Sequence, residues 1–223
     1  MRTTSLNGIL TSLASNYNRR NKDVRLYELG NIYLPKTLPL TELPEERMML
    51  TLGFYGHGDF YDMKGVVEEF LSKVGMNEIA DYNGKNVRPY LHPGRQAAVL
   101  YKGTEIGFLG EIHPLVRSAY GLGERTYSAV SDIQAVRGFA TFYRKDAGIA
   151  RFPAVTRDIS MVVPSEIEAA AIEKMIRQRG GKYLEDLTLF DIYEGEQVKK
   201  GYKSMAYSLV FRSSEKTLEE ADV

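Results

Sequence analysis

Cysteine is absent from the 223 residues, so disulfides and thiolate zinc sites are excluded. An excess of charge is absent too, because 29 basic residues balance 29 acidic ones. A neutral total supplies no long-range attraction to nucleic acid, and any such contact has to come from a local surface. No apolar run approaches the roughly 18–20 residues needed to cross a bilayer. The opening Met1-Arg2-Thr3-Thr4-Ser5 lacks the apolar core of a signal peptide. These absences predict a soluble, cytoplasmic chain. What is present is enough to fold: 43% hydrophobic and 26% charged residues, in a length suited to one large or two small domains.

The spacing of Leu6, Ile9, Leu10 and Leu13 predicts an amphipathic helix over 5–17 with Ser5 as its cap. Val24 to Leu34 and Met48 to Tyr55 read as strands, separated by a loop carrying Pro35, Pro39 and Pro44. Phe60, Met63, Val66, Val67, Phe70, Leu71 and Val74 stripe a helix that starts at Asp59 and stops at Gly75. Ala97–Tyr101 and Glu105–Glu111 read as a hairpin turning at Lys102-Gly103-Thr104. A short helix near 115–120 and a strand over 126–133 come next.

The polar, glycine-containing stretch around 143–150 is the expected linker, with one domain at 1–142 and another at 151–223. The second domain reads as a strand from Asp158 to Val163, a helix from Ile167 to Arg179, strands Leu184–Tyr193 and Ser204–Arg212, and a helix capped by Thr217. This βαββα order is a split βαβ, ferredoxin-like plan that wants one more strand beyond Val223. We therefore expect an α+β chain that is a piece of a longer one.

Side chains alternate across a strand. Ile159, Met161 and Val163 share one face, and Asp158, Ser160 and Val162 the other. Met205, Tyr207, Leu209 and Phe211 oppose Ser204, Ala206, Ser208 and Arg212, while Phe190 and Ile192 oppose Asp191 and Tyr193. The apolar set belongs under helices. The small, polar set faces outward, and an open sheet face is a known RNA platform on which aromatics stack bases. Tyr193 is the natural stacker, Asp191 an acceptor for base amino groups, and Lys199, Lys200, Lys203 and Arg212 candidates for phosphate contacts. A plain solvated face carries the same residue types, so the pattern alone leaves both readings open.

A catalytic centre has little support in the pattern. Arginines would have to hold a triphosphate, and Arg25, the one near a suitable strand, reads as structural. His57, His92 and His113 match no metal-ligand spacing. Gly56-His57-Gly58 and Gly121-Leu122-Gly123 lack the strand-before, helix-after context of a phosphate loop and read as turns. Met48-Met49 and the 60–74 stripe fit either core packing or a subunit surface.

Arg151-Phe152-Pro153-Ala154-Val155-Thr156-Arg157-Asp158 resembles the "FPxxxRD" opening of the ferredoxin-fold anticodon-binding domain. Leu189-Phe190-Asp191-Ile192-Tyr193-Glu194-Gly195 is similar to its "LFDxYxG", and Gly201-Tyr202-Lys203-Ser204-Met205-Ala206 to its "GxKSxA". Met1-Arg2-Thr3-Thr4-Ser5-Leu6, Asp59-Phe60-Tyr61-Asp62-Met63-Lys64-Gly65, Leu91-His92-Pro93-Gly94-Arg95 and Gly110-Glu111-Ile112-His113-Pro114 resemble segments of the β subunit of bacterial-type phenylalanyl-tRNA synthetase. The resemblance covers nearly the whole chain.

It implies a class II aminoacyl-tRNA synthetase-like antiparallel module without catalytic residues of its own, followed by an anticodon-binding domain. It implies an α subunit as partner, in a heterotetramer of two α and two β subunits, and tRNA(Phe) as ligand. ATP and Mg2+ would serve the holoenzyme, with no cofactor in this chain. Ser160, Asp191, Tyr193, Ser204 and Ala206 fall where the family meets the anticodon. A competing expectation is a small-molecule regulatory or acylphosphatase-like ferredoxin domain using Arg151 and Arg157. A third is a structural piece without RNA binding.

Overall fold

The computed structural model describes residues 1–76, 78, 80–85, 88–142, 151–219 and 222. The chain divides into two compact units, Met1–Lys145 and Asp146–Val223. The expected linker at 143–150 lies outside the described residues.

In the first unit the elements run α1 (Leu6–Asn18), β1 (Val24–Leu34), β2 (Glu45–Tyr55), α2 (Phe60–Lys73), β3 (Asp81–Asn83), β4 (Leu91–Tyr101), β5 (Thr104–Ile112), α3 (Pro114–Ala119), β6 (Thr126–Asp132) and α4 (Ile133–Phe139). The strands pair antiparallel in the order β1-β2-β6-β5-β4-β3. Strand alternation sends neighbours to opposite faces and so builds two cores. Leu6, Ile9, Leu10 and Leu13 of α1 meet Tyr55, Leu91, Ile112 and Val130 on one face. Met63, Val67 and Leu71 of α2, with Val136 of α4, meet Phe54, Val99, Leu109 and Tyr127 on the other.

Local signals explain most boundaries. Asp59 caps α2 by accepting from the Tyr61 and Asp62 amides, and the Asp62 carboxylate accepts from the Asp59 amide in return. Lys102 and Gly103 both take positive φ, 50° and 79°, which matches a tight two-residue hairpin turn between β4 and β5. Other expectations need correction. Ser5 makes no capping bond; its hydroxyl instead accepts from Thr51 at 2.5 Å, tying the start of α1 to β2. β4 begins at Leu91 rather than Ala97, because the Pro93-Gly94 segment is absorbed as a bulge between Leu91 and Gln96. The apolar stretch after Asp132 is a helix rather than the end of a strand, since the Asp132 carboxylate accepts from the Gln134 and Ala135 amides.

The second unit contains β7 (Val155–Pro164), α5 (Ala169–Arg179), β8 (Leu184–Tyr193) and β9 (Tyr202–Phe211). The sheet order is β7-β9-β8, all antiparallel, with β9 central. Ile172 and Ile176 of α5 pack on Leu187, Met205, Tyr207, Leu209 and Phe211. This α+β arrangement has the ferredoxin-like order. Of the helix expected from Thr217, residues 217–219 are not helical, Asp222 lies in a 3-10 turn, and 220, 221 and 223 lie outside the described residues. There the Ser213 hydroxyl accepts from the Glu215 and Lys216 amides, and the Asp222 carboxylate accepts from the Glu219 amide. Leu218 nonetheless reaches the core, 5% exposed. Among the described residues no helix is long and apolar enough to cross a membrane.

Candidate nucleic-acid interface

The three strands of the second unit place the anticipated residues in two rows across the sheet. Ser160, Ala206 and Asp191 are aligned from β7 through β9 to β8. Val162, Ser204 and Tyr193 form the next row. With strands about 4.8 Å apart, each row spans about 10 Å, comparable to the long axis of a nucleobase. The Ser160 and Ser204 hydroxyls lie 3.3 Å apart along the diagonal. Small side chains make the floor, while Val162 (59% exposed) and Tyr193 (41% exposed) stand at its sides.

The second of two register shifts in β8 sets this face. β8 pairs Leu189 with Tyr207 and then Asp191 with Ala206, leaving Phe190 as an extra, unmatched residue. Leu189 packs against the buried side with Tyr207. Without the bulge, strict alternation would put Asp191 opposite Met205 on the buried face. The extra residue turns Asp191 and Tyr193 outward. The expectation that Phe190 points to the core is therefore overturned: it is 56% exposed at the bulge. Ile192 does pair with Met205 on the helix side, but it remains 50% exposed near the end of the sheet.

The cations anticipated for phosphate contacts are less uniform. Lys200 is exposed, and the Lys199 ammonium sits 5.3 Å from the centre of the Tyr202 ring. Lys203 is half-buried opposite Val163, in step with the helix-side residues of β9. Arg212 lies just past β9, where its Nε donates to Glu185 at 2.8 Å and its Nη1 to the Phe152 carbonyl at 3.4 Å. That guanidinium is already paired, so it does not stand as an open phosphate clamp. Val162 is the contributor that sequence reasoning left out of the site, although its alternation had placed it on this face.

The first unit holds Arg25, the arginine singled out by its sequence context, and a cavity. Arg25 lies over the Phe54 ring at 5.6 Å and donates to the His57 carbonyl at 3.1 Å. A cavity of about 510 Å3 near the start of α1 is lined largely by apolar groups such as Met49, Phe108, Val116 and Val130. Its arginine, Arg88, stacks on Phe108 at 4.2 Å and is ion-paired with Glu105. His92 and His113 accept hydrogen bonds from the Gly94 and Leu115 amides. Among the described residues no group of three or more His, Asp or Glu is placed to hold a metal ion.

Two family models match successive parts of the chain. Residues 1–132 match the family profile described as "Phenylalanyl tRNA synthetase beta chain CLM domain". Residues 150–223 match "Ferredoxin-fold anticodon binding domain". A "Phenylalanine--tRNA ligase beta subunit" of Clostridium acetobutylicum is 42% identical over the whole chain, which covers 28% of that relative. Proteins of the same name from Clostridium tetani and Shouchella clausii are each 39% identical over the whole chain, which covers 28% and 29% of them. The chain thus spans under a third of the length of the curated relatives it matches. With both matched regions falling in order along it, the chain belongs to the phenylalanyl-tRNA synthetase β-subunit family.

Proposed function

We propose that this chain acts within phenylalanine–tRNA ligase, supporting the catalytic α subunit and binding the anticodon region of tRNA(Phe). Residues 1–142 serve as a class II-like module without catalysis of its own, 143–150 as the linker, and 151–223 as the RNA-binding domain. The assembly is a cytoplasmic heterotetramer of two α and two β subunits.

The observation that carries this reading is the open sheet face in which Ser160, Ala206 and Asp191 lie in one row beside Ser204 and Tyr193. A nucleotide splayed out of its loop can lie over the small residues, stack on Tyr193 and donate to the Asp191 carboxylate. Lys199 and Lys200 meet the backbone phosphates. ATP and Mg2+ belong to the holoenzyme. The family match disfavours the acylphosphatase-like alternative.

The test is Tyr193→Ala in the complete synthetase. A stacked base contributes about 1–3 kcal/mol, so KM for tRNA should rise about 5- to 150-fold while ATP-dependent activation of phenylalanine is unchanged. Wild-type tRNA affinity in that variant would remove Tyr193 from the interface.

A further inference from the structure

Tyr193 does not stand free of the chain. Its ring lies back over the segment that leaves β8. A Cβ built on Gly195 would come within 2.3 Å of the Tyr193 Oη, 2.5 Å of Cζ and 3.0 Å of Cε2. Those separations are well inside van der Waals contact.

The backbone gives no other reason for glycine at this position. Gly201, before β9 in the same connection, has φ +85° and sits in the left-handed region that side chains resist. Gly195 is outside that region. Its carbonyl accepts from the Val198 amide at 3.0 Å, an ordinary turn bond available to any residue. What distinguishes position 195 is the space above its α-carbon, and the tyrosine ring fills it.

We propose that Gly195 is a positioning residue for Tyr193: by lacking a side chain it lets the ring rest against the main chain, which holds it at the Ser204 end of its row before any base arrives. The proposal rests on reading the outer face as the tRNA surface. A ring held in place loses less freedom on binding than one that has to be ordered by its ligand. A methyl group at 195 overlaps the outer edge of the phenol, so the ring has to shift from the position it holds over the main chain. The bulge at Phe190 and the bare α-carbon at Gly195 then divide the task, the first choosing the face and the second fixing the ring upon it.

The experiment is a double-mutant cycle in the complete synthetase with Gly195→Ala, Tyr193→Ala and the pair together. The readouts are KM and kcat for tRNA charging, plus amino-acid-dependent ATP–pyrophosphate exchange. Gly195→Ala should raise KM for tRNA about three- to tenfold, because part of the stacking contribution is lost. It should leave kcat and exchange at wild-type values. In the Tyr193→Ala background it should add nothing, since the ring it displaces is gone. Gly65→Ala, on α2 where a Cβ meets no atom within 4 Å, is the control and should behave as wild type.

The proposal is overturned if Gly195→Ala has wild-type KM while Tyr193→Ala does not. It is equally overturned if the Gly195→Ala effect persists in full without the tyrosine, which would show a role in the turn alone. If Tyr193→Ala itself leaves KM unchanged, the tRNA-surface reading fails first and this one with it.

Discussion

The central strands of the first unit are covered on both faces, by α1 on one side and by α2 and α4 on the other. The sheet of the second unit has α5 on one face, and its opposite face carries Ser160, Val162 and Tyr193 exposed. The difference shows in what each position tolerates. A face packed against a helix selects volume and apolarity, because every removed methylene leaves a void. A face without a helix is free to select for shape and hydrogen bonding toward something that arrives from outside. The same backbone element therefore answers to packing in one unit and, on the proposed reading, to recognition in the other.

That contrast can be broken most sharply in the doubly covered sheet. Leu109 of β5 is fully buried, and Leu109→Ala should cost about 2–5 kcal/mol in denaturant unfolding. Thr188→Ala, on the open face of β8, should stay within about 0.5 kcal/mol. Comparable losses at both positions would show that the second face is not free. A substitution that fills the open face sharpens the comparison. Ala206→Leu adds bulk between Ser160 and Asp191, and should raise KM for tRNA about tenfold, or about 1.4 kcal/mol, with the unfolding midpoint unchanged. A lowered midpoint with normal KM would reverse the assignment of structural and binding roles.

The smallest effect concerns the covered side of the second unit. Burial pushes the Tyr207 hydroxyl pKa up to about 12, whereas the unfolded chain ionises it near about 10. The folded state thus holds the proton after the unfolded state has released it. The stability this brings is complete below pH of about 10 and is lost as the pH climbs toward 12. Tyr207 donates only a long bond, 3.4 Å, to the Ala169 carbonyl. Tyr207→Phe should therefore change little at neutral pH and should flatten the alkaline decline in stability. An unaltered decline in that variant would assign it to other groups.

Much of this was legible in the sequence because alternation is a local signal. The inward and outward sets of β7 and β9 come directly from their residues, and so does the outward placement of Ser160, Ser204 and Ala206. Other features depend on partners distant along the chain. Phe190 reads as a core residue until its strand is paired and an extra residue is found at that point. Arg212 reads as a free cation until the ends of β8 and β9 bring Glu185 to it. Ser5 reads as a helix cap until Thr51 takes its hydroxyl across 46 residues. α4 did carry a local signal in Asp132, but the apolar residues beyond it resemble the tail of a strand. β3, from Asp81 to Asn83, is too short for any period to show.

The bulge at Phe190 makes the residue count of β8 decisive there. An exposed side chain at that position can be exchanged with small consequence for packing. Deleting the position would shift the parity of the last residues of β8, turning the acidic and aromatic groups beneath the sheet while leaving the composition of the strand almost untouched.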